Sequence, residues 1–172
     1  GKNPVRYEII YLDDSHKRID CVRLTMADKV KLGNIFNSLP YGIVKKCVPG
    51  IGATTLALDQ QRDTILVMPT KKLAYQKYLY GRDKCPYHHK FLYVGSDIPE
   101  ANCKSPTDEE IRNFIATKRE SHSFYLKIIV VADSLRRVME QIQYIKDAPQ
   151  RAWEKIVKQA EQQQKNPWEL LL

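Results

Sequence analysis

The chain has 172 residues, enough for one domain with a buried core. Its 28 Lys and Arg against 20 Asp and Glu leave a formal charge of +8, which points to an anionic partner, nucleic acid first, over a merely solubilising surface. No apolar run is long enough to cross a bilayer, no charged-then-apolar leader opens the chain, and Cys21, Cys47, Cys85 and Cys103 read as free thiols; a cytoplasmic protein with no membrane partner is expected.

In chain order, residues 5–12 are β-formers. The turn cluster Asp13-Asp14-Ser15-His16 separates them from 18–24, so a hairpin beside the main sheet is expected. Tyr7 and Tyr11 in it read as covering a sheet face rather than stacking on bases. A helix is expected from Thr25, with Asp28 in its first turn and Leu32, Ile35, Phe36 and Leu39 as one buried stripe that Pro40 ends. A strand over 43–48 leads into a Pro-Gly loop and a short helix over 54–59. Thr64–Met68 is a continuous apolar run, the mark of a strand covered on both faces. Residues 71–80 read as a helix carrying Leu73, Ala74 and Tyr78, then 81–89 as polar loop, then 91–94 as a strand ended by Gly95-Ser96.

Thr107 opens the next helix with a capping box completed by Glu110; Ile111, Phe114 and Ile115 are its buried face. Leu126–Val131 is a fourth apolar strand. Asp133 or Ser134 caps a helix whose Leu135, Val138, Met139 and Ile142 repeat at helical spacing. Pro149 fits the first turn of a last helix with the stripe Trp153, Ile156, Val157 and Ala160. Trp168 and residues 170–172 are apolar enough to dock on the body or to meet a protein partner.

Strands alternating with helices predict an α/β fold: a three-layer, mainly parallel sheet (25–146) with an N-terminal pair of strands (1–24) and an added C-terminal amphipathic helix and tail (147–172). Ligands of such sheets bind beyond the carboxyl ends of the strands. Those ends fall at 49–54, 69–71, 95–97 and 132–136, all loop or polar.

The first of these is the most informative. Gly50 and Gly52 let the backbone bend. The successive amides of Gly50, Ile51, Gly52, Ala53, Thr54 and Thr55, backed by a helix, would form an anion nest. The Thr54 hydroxyl is a ligand for Mg²⁺, with Thr55 in support. The phosphate-loop pattern Gly-x4-Gly-Lys-Ser/Thr is met by Gly52 and Thr54, but Ala53 stands in the lysine's place and Cys47 in the first glycine's. On the loop alone, an anion site and a ligandless strand-to-helix turn weigh equally, with Lys45 or Lys46 as replacement cations in the former. No Ser-His-Asp or Cys-His spacing names a catalytic residue, and Asp108, Glu109 and Glu110 read as an acidic first helical turn. Cys85, His88, His89 and Cys103 lack a second close pair, so no zinc is expected.

The order of segments resembles the N-terminal RecA lobe of P-loop superfamily-two (DEAD-box-like) helicases. Pro69-Thr70-Lys71-Lys72-Leu73-Ala74 is similar to their Pro-Thr-Arg-x-Leu-Ala element, Gly95-Ser96 resembles their Gly-Gly, and Val131 to Arg136 sits where their Thr-Pro-Gly-Arg would follow a strand. Residues 50–58 with 64–75 look like helicase-like proteins of bacteriophages and mobile elements of gut bacteria that carry the same lysine-free loop. Across roughly 41–145 the resemblance implies ATP with Mg²⁺ at Gly50–Thr55, and nucleic-acid backbone at Thr70, Lys71, Lys72 and Arg136. It also exposes departures: no acidic pair follows a later strand, and the second lobe with its arginine finger lies outside these residues. Nucleic-acid and ATP binding without hydrolysis by this chain alone is therefore expected; the alternative is a non-enzymatic interaction module of a phage or mobile element.

Overall fold

The computed structural model describes residues 6–11, 20–25, 31–39, 41, 49–85, 89–120 and 123–171. The expected strand over 43–48, with Lys45, Lys46 and Cys47, lies outside them, as do Asp28, Pro40, His88 and the side chains of Tyr7 and Tyr11. Strands β1 (Arg6–Tyr11) and β2 (Asp20–Thr25) pair antiparallel as a separate two-stranded sheet, with Arg6 opposite Thr25 and Tyr11 opposite Asp20.

The main sheet is parallel, with β3 (Thr64–Met68) and β4 (Lys90–Val94) on either side of β5 (Leu126–Val131). Side chains alternate across it. Leu66, Met68, Tyr93, Ile129 and Val131 pack on one face with Leu58 of α1 (Ala53–Asp59) and Ala74 of α2 (Lys71–Lys84). Leu92, Val94, Ile128 and Val130 pack on the other with Ile111 of α3 (Asp108–Glu120) and Val138 of α4 (Leu135–Lys146). The result is helices, sheet, helices, with every residue of β5 buried. Helix α5 (Ala148–Gln162) follows, with Pro149 in its first turn, and Trp168 in the turn Pro167–Leu171 folds back onto its Trp153.

Four expectations are corrected. The described part of the helix expected from Thr25 is only a 3-10 turn, Leu32–Asn34. Gly33, Asn34, Asn37 and Ser38 are poor helix formers, and the backbone is diverted: Leu32 N–H donates to Ile51 O and Leu39 N–H to Gln60 Oε1. Leu32 is buried there, while Ile35, Phe36 and Leu39 are half-buried. Strand β3 is not covered on both faces; Ile65 and Val67, which alternate with the packed Leu66 and Met68, are 38% and 42% exposed. The helix begun at Lys71 runs on through Gly81 to Lys84, where a polar loop was expected, since Gly81 is buried against the Phe91 ring. Met139 is off the buried stripe of α4. The Thr107 cap stands, its hydroxyl accepting from Glu110 N–H at 3.1 Å; Ser134 makes no side-chain cap at α4.

Candidate functional site at the carboxyl-end edge

A parallel sheet delivers the ends of all its strands to one edge. Residues 69–72 follow β3, 95–97 follow β4 and 132–136 follow β5. Helix α1 precedes β3 through a short turn, and its Leu58 packs on the sheet face that Leu66 and Met68 share. The C-terminal end of α1 is pinned to the sheet by Lys127. This lysine of β5 is 1% exposed, and its ammonium donates to Gln60 O at 2.6 Å, Arg62 O at 2.7 Å and Ala57 O at 3.2 Å. Carbonyls left over at a helix C-terminus are a natural partner for a cation. Burial nevertheless lowers the Lys127 pKa to about 8, against the pull of Cys85, Asp63 and Asp59.

Gly50 and Gly52 both have positive φ, +76° and +83°, the left-handed region that glycine enters without strain. The carbonyls of this loop are occupied: Gly50 O accepts from the Lys31 ammonium, Ile51 O from Leu32 N–H at 2.8 Å, and Gly52 O from Leu56 N–H at 2.9 Å. The amides are not; among the described residues no acceptor takes the N–H of Gly50, Ile51, Gly52, Ala53, Thr54 or Thr55. Among the described residues this leaves more open donors than acceptors, an arrangement that favours negative charge. Lys31 is the residue that spacing could not reveal. It stands nineteen positions from Gly50 and lays its methylenes 3.6 Å from where a Cβ on Gly52 would be, so a lysine does meet the loop whose own sequence lacks one.

Thr70 caps α2, its hydroxyl accepting from Leu73 N–H at 3.3 Å. Lys71 and Lys72 are exposed beside it, and the Lys71 ammonium reaches Asp97 O at 3.4 Å. Arg136 is exposed on the first turn of α4 and pairs with Glu140 at 2.9 Å. Its neighbour Arg137 is structural, tying α4 to the start of α3 through Asp108, Ser105 Oγ and Pro106 O. Gly95 is fixed by close packing, since a Cβ there would lie 2.3 Å from the Tyr93 hydroxyl.

Cys85 and Cys103 pack as small apolar groups against the Leu58–Tyr93 core. Burial pushes the Cys85 thiol up to about 11 and raises that of Cys103. Buried His89, whose Nε2 lies 3.2 Å from Asp59 O, has its pKa lowered by the same cause. Among the described residues no three His, Cys, Asp or Glu are grouped to hold a metal ion, and no helix is long and apolar enough to cross a membrane. Comparison with protein-family models, with curated proteins and with solved structures finds no match.

Proposed function

We propose that this chain is a helicase-like P-loop domain of RecA type that binds nucleic acid along the carboxyl-end edge of its parallel sheet. What supports the reading is that the exposed cations Lys71, Lys72 and Arg136 follow the carboxyl ends of neighbouring parallel strands, with the glycine turns of Gly50 and Gly52 opening the helix before β3. In this reading Lys71, Lys72 and Arg136 meet backbone phosphates, and Thr70 supplies a hydroxyl. ATP would be held by its phosphates at Gly50, Ile51, Gly52, Ala53, Thr54 and Thr55. The loop fits such a group in its glycine turns and in amides that no acceptor takes among the described residues. Mg²⁺ would find one oxygen at Thr54 and supply charge neutralisation; the described residues add no carboxylate cluster beside it. The expected outcome is binding without turnover by this chain alone.

The test is a salt titration of binding to a single-stranded oligonucleotide. Affinity should fall steeply with salt, with a log–log slope of about 0.7 per phosphate contacted. The triple variant Lys71→Ala, Lys72→Ala, Arg136→Ala should flatten that slope by about 2. A salt-independent affinity, or a triple variant that behaves as wild type, would remove the reading. A second reading, a non-enzymatic interaction module of a phage or mobile element, draws on Trp168 and Leu171, which are 65% and 51% exposed.

A further inference from the structure

Helix α5 is packed differently from the four helices of the layered body. Ala160 is its one buried side chain. Its stripe of Trp153, Ile156 and Val157 is half-buried, and among the described elements its main packing partner is the turn Pro167–Leu171, where the Trp168 ring lies 4.8 Å from that of Trp153. Lys165 N–H closes the unit by donating to Ala160 O at 2.9 Å. The link to α4 is Asp147 alone, and Pro149 two residues later has no N–H to continue the helical ladder.

Across that break the side chains form a stack. The Tyr144 ring of α4 lies against two guanidiniums, Arg151 of α5 at 3.6 Å from its centroid and Arg112 of α3 at 4.6 Å. Arg112 is steadied by Gln141 Oε1 at 3.2 Å. Among the described residues neither arginine forms an ion pair, so the ring is the partner that engages both charges. Guanidinium over an aromatic face is attractive even at an exposed site.

We infer that α5 with the turn Pro167–Leu171 is an arm hinged at Asp147–Pro149, and that Tyr144, gripped by Arg112 and Arg151, is the clasp that sets its orientation. The clasp determines where the exposed Trp168 and Leu171 are presented. The Arg151–Tyr144 contact, the one of the two that crosses to α5, favours the closed arm about two- to five-fold, so opening is graded rather than forbidden; Arg112 holds the ring in place on the body side.

The chain's two tryptophans, Trp153 and Trp168, both lie in the arm, so their time-resolved fluorescence anisotropy reports on it alone. In the intact chain they should tumble with the whole molecule. Tyr144→Ala should add a nanosecond component while far-UV circular dichroism is unchanged, and Tyr144→Phe, which keeps the ring, should not. Arg151→Ala, a solvent-side change, should add the same component with smaller amplitude and stands in if Tyr144→Ala fails to fold. The inference is overturned if Tyr144→Ala and Arg151→Ala both tumble as wild type, if Tyr144→Phe is as loose as Tyr144→Ala, or if wild type already shows the fast component in full.

Discussion

Lys127 shows how one buried side chain ties local chemistry to a measurable whole. Its ammonium is surrounded by Asp59 and Gln60 at the end of α1, Arg62, Asp63 and Thr64 beyond it, and Cys85 at the end of α2. The unfolded chain keeps the lysine proton up to about 10.5, whereas the folded chain releases it near 8. Between those values the unfolded state binds more protons, so stability rises with pH there. Cys85 acts in the opposite sense: its ordinary value of 9.0 rises to about 11 on folding, so it lowers stability as pH climbs from 9 to 11. Urea denaturation of wild type should therefore show a gain of about 1 kcal/mol from pH 8 to 9 and a plateau above it. Lys127→Met should abolish the gain, and Cys85→Ala should extend it to about pH 10.5. A wild-type profile flat from pH 8 to 9 would show that the carbonyl cage keeps the ammonium charged at no cost.

At the scale of elements, Thr70 separates structure from binding. It caps α2, so Thr70→Ala should cost about 1 kcal/mol in urea unfolding, and Thr70→Ser should cost little. If the hydroxyl also meets phosphate, Thr70→Ala should weaken oligonucleotide binding under conditions where the variant is fully folded; equal affinity would confine the residue to capping. Such caps were legible in the sequence because they are local, as Thr107 also shows. The strands Thr64–Met68 and Leu126–Val131 were legible too, being β-branched runs bounded by turn residues. What was not legible depends on distant partners. Gly81 reads as a helix stop until the Phe91 ring is seen to fill the space where a Cβ would go. The stripe Leu32, Ile35, Phe36 and Leu39 has helical spacing, yet its backbone is claimed by Ile51 and Gln60. Lys31 arrives at Gly50 by that same diversion, and nothing in the spacing of the loop foretells it. The candidate site was readable as a set of strand ends, because parallel topology alone places them together; its lysine was not.

Among the exposed apolar side chains of the described residues, two groups have different causes. Ile65 and Val67 are exposed on β3, a strand with no second neighbour among the described residues. Trp168 and Leu171 are exposed at the end of α5, but Trp168 is already seated on Trp153. A strand edge unpaired among the described residues, with bare β-branched side chains, is the surface more prone to self-association, because it offers backbone donors and acceptors as well as apolar area. Size-exclusion chromatography at rising concentration should show association that Ile65→Thr with Val67→Thr relieves, at little loss of strand propensity. Removal of residues 166–172 should leave that association in place. The reverse pattern, relief by truncation and none by the strand substitutions, would place the associating surface at the C-terminal turn instead of on β3.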